Sequence, residues 1–200
     1  MSAPIPMPKP DAALAPAEGA LPGAARDAQS ITADWEPLQP PIAGVVVREV
    51  RNVMKDNGYL TEIWREDWQL DALDVAQVFQ VVLQPAAISA WHVHQHATDR
   101  LFANHGQLKI VLFDARAGSP TERRINVFRC GTGRPMLIVV PAGVWHGVQN
   151  VGAIPASLLN LPDRAYAYEA PDHWRLPPDT AHVPYSFVTG AVASADPGRI

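Results

Sequence analysis

Three histidines and one aspartate are spaced along this chain so that neighbouring strands would bring them together. His92-Val93-His94 comes first, Asp99 follows a short polar stretch, and His146 follows the turn signal Pro141-Ala142-Gly143. Residues two apart on a strand point to one face, so His92 and His94 project side by side. Gln95 to Thr98 reads as a turn, after which Asp99 opens the run Arg100-Leu101-Phe102-Ala103. A hairpin there returns the carboxylate over the two imidazoles. His146 lies beyond the apolar run Met136 to Val140 and its turn. His92, His94, Asp99 and His146 together suit one divalent transition metal (Fe, Mn, Ni or Zn) with coordination positions left open. The same residues also suit a metal-free polar pocket, in which one imidazole is a general base and the carboxylate orients it.

The elements that must position these groups read as short β-strands. From Ile42 onward, β-type runs alternate with turn residues: Val45 to Val50, Tyr59 to Trp64 after the Asp56-Asn57-Gly58 turn, Val78 to Leu83, and Ile88 to Val93. Leu108 to Phe113, Arg124 to Phe128, Met136 to Val140, Trp145 to Gln149 and Ser157 to Leu161 continue the pattern. Many short strands at this spacing predict an all-β sandwich or barrel. The one helical expectation is a turn or two within Asp67 to Val78, with Asp71 as its cap. Beyond Leu161 the chain is rich in proline, aromatics and charge, which predicts an ordered but irregular segment covering the barrel.

Composition narrows the function classes. A hydrophobic content of 48% supports a substantial core, while a net charge of −4 and a pI near 5.9 leave no basic footprint for nucleic acid. The single cysteine, Cys130, rules out an internal disulfide and fits a reducing compartment, the cytoplasm. Cys130 has no evident cationic partner and reads as a structural thiol. No stretch is apolar and long enough to span a membrane, and the N-terminus lacks a secretory pattern. Residues 1–41 are dominated by proline and alanine and read as a disordered or extended arm, 42–190 as the β domain, and 191–200 as a loose tail.

The His92-x-His94…Asp99…Gly106 segment and the Pro141-x-Gly143…His146…Asn150 segment resemble the two signature motifs of the cupin superfamily, with Asp99 where glutamate is usual. Further segments resemble one branch, the dTDP-4-dehydrorhamnose 3,5-epimerases and the short cupins grouped with them. These are Asp56 to Glu62, Leu112-Phe113-Asp114 with Ser119-Pro120-Thr121, Val140 to Gly147, and Tyr166 to Tyr185. The resemblance implies a cupin jelly roll, a homodimer, and a nucleotide-linked 4-keto-6-deoxy sugar whose proton alpha to the ketone is removed and returned. It implies His92 as the general base, Arg100 as the cation for the enolate oxygen, and His146 as a pocket histidine. Glu62, Trp91, Trp145, Tyr166 and Tyr168 are the expected substrate contacts. The chain departs from the family pattern at four places, the first being its His92-x-His94 arrangement, which the epimerases lack. Leu159 stands near the general-acid tyrosine, so Tyr166 or Tyr168 would have to supply the phenol. Asp179 is the displaced counterpart of the base's acidic partner, and Asn57 replaces an arginine.

Three functions follow. One is a metal-free epimerase or isomerase, and a second is a metal-dependent cupin using His92, His94, Asp99 and His146. The third is a carbohydrate-binding cupin without catalysis, with Trp91, Trp145 and Trp174 as a sugar platform; ordinary core packing is the competing reading for those tryptophans.

Overall fold

The structure, a computed structural model, describes residues 19, 21, 22, 24, 29–34 and 37–190. Most of the expected arm and all of the expected tail fall outside the described residues. The described residues divide into two units, one ending at Pro40 and the other beginning at Pro41. Within the first, Ile31 bridges Pro37, and the Leu38 N–H donates to the Ser30 carbonyl at 3.0 Å.

The second unit is all β, as its alternating sequence predicts. Its strands are β1 (Val46–Glu49), β2 (Asn52–Lys55), β3 (Gly58–Thr61), β4 (Phe79–Leu83), β5 (Ile88–Val93) and β6 (Asp99–His105). They continue with β7 (Gln107–Asp114), β8 (Ile125–Gly131), β9 (Met136–Val140), β10 (Val144–Asn150), β11 (Ala156–Asn160) and β12 (Trp174–Arg175). Two five-stranded sheets, ordered β1-β9-β6-β11-β4 and β12-β5-β10-β7-β8, face each other as a jelly roll. The β2–β3 hairpin forms a separate small sheet. Every pairing is antiparallel.

Alternation explains which runs are continuously apolar. On β7, Leu108, Ile110 and Leu112 enter the core between the sheets with Leu101, Ile138, Val140 and Leu158. Val111 and Phe113 face the other way, into a second cluster with Trp91, Val183, Tyr185 and Phe187. The segment after β12 thus covers the outer face of one sheet, and β7 is buried on both sides. At Gly106 the backbone takes φ +73°, and a Cβ there would lie 2.6 Å from the Ala156 Cβ, so only glycine fits the β6–β7 turn.

Two expectations are corrected by the fold. Where a turn or two of α-helix was expected, only a short 3-10 turn forms, Glu66–Trp68. Asp71 does accept the Leu73 N–H at 3.0 Å, but its carboxylate is committed elsewhere. It pairs with Arg100, whose Nε and Nη2 meet the two Asp71 oxygens at 2.9 and 2.6 Å. Arg100 also donates to the carbonyls of Leu73 (2.8 Å) and Leu161 (2.9 Å) and is wholly buried. Because Asp99 and Leu101 face between the sheets, Arg100 on the same strand must face away. It therefore ties residues 71–74 and the end of β11 to β6 and does not reach the space where an enolate would form. Arg100→Ala takes the cation from Asp71 and a donor from the Leu73 and Leu161 carbonyls, and denaturant unfolding should show a loss of about 3–5 kcal/mol.

Candidate functional site

A cavity of about 550 Å³ opens between the sheets. Its interior wall is apolar, built from Phe79, Val81, Leu83, Leu101, Val148 and Leu158. His92, His94, Asp99, His146 and His173 gather at one side, with Asn160 and Ser89 beside them. Arg164, Tyr166, Asp172 and Arg175 also line it, all from the segment after β11. Four strands contribute the polar group. His146 on β10 is directly opposite His92 on β5, and Asp99 opens β6, next to β11 and its Asn160.

Asp99, His94 and His146 converge. Asp99 Oδ2 lies 3.2 Å from His94 Nε2 and 3.3 Å from His146 Nε2, while Asp99 Oδ1 accepts the Asn160 amide at 2.9 Å. His94 Nδ1 contacts the Asp172 carbonyl, and His146 Nδ1 faces the Val144 carbonyl at 3.4 Å. A carbonyl can only accept, so each Nδ1 carries hydrogen and each Nε2 is turned to the carboxylate. Burial works against a charged His94, but the Asp99 carboxylate and the Asp172 carbonyl outweigh it and raise its pKa. Burial also opposes the Asp99 anion, yet His94, His146 and Asn160 bring its pKa down to about 2. Burial lowers the pKa of His146 in spite of Asp99.

The three donors also suit a metal. One proton can satisfy the His94–Asp99 contact but leaves His146 Nε2 facing the same buried oxygen, which has no well-formed hydrogen bond to either ring. The candidate ligand atoms lie within 4.8 Å of one another, as two histidines and one carboxylate on one side of an ion would require.

His92 is not the fourth member of that group. Its Nε2 lies 3.0 Å from Ser89 Oγ and its Nδ1 2.7 Å from His173 Nε2. A bulge explains the Ser89 contact. The β5–β10 ladder pairs His146 with His92 and Val148 with Ser89, so β5 advances three residues while β10 advances two. The extra residue brings Ser89 and His92 to the same side. Burial lowers the His92 pKa to about 3, and the neighbouring histidines and Arg175 add to the effect. The His173 pKa is lowered too, first by burial. His92 and His173 are therefore neutral at pH 7.

Several expected contacts lie elsewhere. Trp91 is completely buried in the outer cluster, 5.1 Å from the Phe187 ring centroid, and Trp145 packs on the same cluster. Each directly precedes a histidine that faces the cavity, so alternation turns both tryptophans outward. Trp174 is exposed. Glu62 follows the separate β2–β3 sheet and pairs with Arg65 at 3.0 Å in solvent. Tyr166 does line the cavity; Tyr168 stacks edge-on against it and is 86% exposed. Asp179 is exposed and not among the lining residues. The position held by Leu159 turns out from the cavity, while Leu158 and Asn160 turn in. Sequence reasoning missed Ser89, Asp172 and His173. The Asp172-His173-Trp174-Arg175 cluster was visible as chemistry-bearing residues, but nothing local joins it to β5.

Residues 47–163 match the cupin family profile. Among curated relatives, a probable low-salt glycan biosynthesis epimerase, Agl13 of Haloferax volcanii, is 31% identical over 141 residues, which are 70% of this chain and 90% of that protein. The spore coat polysaccharide biosynthesis protein SpsL of Bacillus subtilis is 30% identical, covering 74% of this chain and 97% of its own length. Among solved structures, a dTDP sugar isomerase from Desulfovibrio desulfuricans superposes with a TM-score of 0.70 at 24% identity. That match covers 76% of this chain and 96% of the isomerase, and it speaks to the fold.

The site makes stability depend on pH. His92, His146 and His173 have folded pKa values below their ordinary 6.5, so below pH 6.5 the unfolded chain binds more protons. Their contribution is complete above 6.5 and declines as pH falls below it, in the case of His92 down to about 3. His94 runs oppositely, its contribution present below 6.5 and lost as pH rises through its raised value. With three groups against one, Tm should drop steadily from pH 6.5 to pH 4. His92→Gln should flatten that slope, measured by thermal melts in matched buffers.

Proposed function

This chain belongs to the cupin family, and we propose that it is a nucleotide-sugar epimerase or isomerase. It removes and returns a proton alpha to the ketone of a nucleotide-linked 4-keto-6-deoxy sugar. The observation that carries the reading is the Ser89–His92–His173 line along the cavity wall. The epimerase relative and the isomerase of the same fold support the reaction class.

In this reading the acceptor is an imidazole pair. Both His92 nitrogens are engaged, so a proton taken at Nε2, with Ser89 Oγ turning aside, can be balanced by release of the Nδ1 proton to His173. His94, the imidazole whose cation is favoured, takes over the enolate-stabilising role expected of Arg100. Tyr166 at the cavity wall supplies the phenol for return of the proton. The apolar wall suits the 6-deoxy methyl group, and Arg164 and Arg175 suit the diphosphate. The protein acts as a homodimer, with exposed Val53, Met54, Tyr59 and Leu60 on the β2–β3 hairpin as surface that a second copy would cover.

In deuterated buffer the protein should place solvent deuterium next to the ketone of a dTDP-4-keto-6-deoxy sugar, followed by proton NMR. His92→Asn should lower that rate by roughly 100-fold or more, and His173→Ala by a smaller factor. Absence of exchange by the wild-type protein across 4-keto-6-deoxy nucleotide sugars would defeat the reading.

The convergent lone pairs at Asp99 Oδ2 favour a second reading, a metal-dependent cupin. His94 Nε2, His146 Nε2 and an Asp99 oxygen would hold a divalent ion, which when bound would act as a Lewis acid on a carbonyl oxygen. Elemental analysis should then find about one ion per chain, X-ray absorption should give bond lengths of roughly 2.0–2.2 Å, and Asp99→Ala should lose the ion. Wild-type protein that remains metal-free after loading leaves the epimerase reading alone.

A further inference from the structure

We propose that Asp172 is the positioning residue of this site: it anchors the segment after β11 to the β5–β6 turn, and so sets the ring orientation of His94 and the contact between His173 and His92. Its kinetic consequence rests on the epimerase reading; the positioning itself does not.

The β5–β6 turn presents a row of backbone donors. Asp172 Oδ1 accepts the Gln95 N–H at 2.8 Å, and its Oδ2 accepts those of His96 (2.8 Å) and Ala97 (3.1 Å). The next N–H, that of Thr98, goes to Asp163 Oδ1 at 2.7 Å. Successive N–H groups in a turn make an anion-binding concavity, and a carboxylate makes stronger hydrogen bonds there than a neutral acceptor. One side chain thus satisfies three donors that no strand partner can reach.

The same residue acts on both histidines of the His92-x-His94 pair. Its carbonyl accepts from His94 Nδ1, which leaves His94 Nε2 as the atom turned toward Asp99 and the cavity. Its chain neighbour, His173, is bracketed by two attachments. Asp172 holds one side, and on the other Trp174 and Arg175 pair with Val93 and His92 as β12. Between these anchors His173 Nε2 is delivered 2.7 Å from His92 Nδ1. Asp172 touches none of the atoms that would react, so its effect on turnover passes through the two imidazoles.

Asp172→Asn keeps the size but turns an NH2 toward backbone N–H donors, and Asp172→Ala removes the acceptor. The test combines steady-state deuterium exchange with nitrogen-15 NMR of the histidine rings in the full chain. The expected result is a kcat lowered about 10- to 100-fold, a KM changed by less than about threefold, and a cooperative melt. The His94 ring should shift from a single Nδ1–H form to mixed tautomers, and the His92–His173 cross-relaxation should weaken. A purely structural role would lower Tm and leave the ring nitrogens of the folded protein unchanged, and that result would overturn the proposal. Wild-type kcat in the Asn variant would overturn it too. If Asp172→Ala does not fold, the near-isosteric Asn variant carries the test. If the wild-type protein catalyses no exchange, the epimerase reading fails by itself, and the ring-nitrogen spectra still decide whether Asp172 positions the histidines.

Discussion

Asp99 is a carboxylate buried at the inner end of an apolar barrel, and the rest of the site is built around keeping it there. An isolated buried anion costs far more than a domain of this size can spare, so each of its oxygens must meet a donor or a cation. Asn160 donates to one oxygen; the other faces His94, whose cation the pair favours, at 3.2 Å and the His146 ring at 3.3 Å. Those partners come from β11, the end of β5, and β10, so the requirement fixes the register of strands in both sheets. Asn160 also accepts the Arg100 N–H at 3.2 Å, which joins the carboxylate's support to the strand that carries it.

The two faces of β6 show how one strand serves two purposes. Asp99 and Leu101 line the cavity, whereas Arg100 between them is sealed into a network with Asp71, Leu73 and Leu161. That network holds the chain before β4 against the chain after β11, close to where the covering segment begins. The charge that sequence resemblance implies for chemistry is spent on holding the wall of the cavity. His94, already paired with Asp99, remains as the cation-favouring group inside.

The covering segment completes the site from outside the strands that define it. It brings Tyr166 and Arg164 to the cavity, closes the β5–β6 turn through Asp163 and Asp172, and adds β12 beside β5. Farther on, Val183, Tyr185 and Phe187 cover the outward face of the same sheet and bury Trp91. A single stretch of low regularity therefore seals one sheet on its outer face and furnishes the inner one with His173.

Much of this was legible in the residues themselves. Short β-type runs set between turn residues, Leu108 to Phe113 and Met136 to Val140 among them, determined an all-β fold, because runs of this length and composition suit strands buried between layers. The spacing of His92, His94, Asp99 and His146 determined that they would share one cavity, since two motifs on adjoining strands meet in any jelly roll. Which of the four form a group was decided only in three dimensions. The bulge that sets Ser89 beside His92 depends on the pairing of β5 with β10, and the partner of His92 Nδ1 arrives from His173, distant in sequence. Arg100, Trp91 and Trp145 were misplaced for the same reason. A residue's type suggests what it could do, but the face it occupies follows from strand register, and register is settled by packing between sheets that a local reading does not contain.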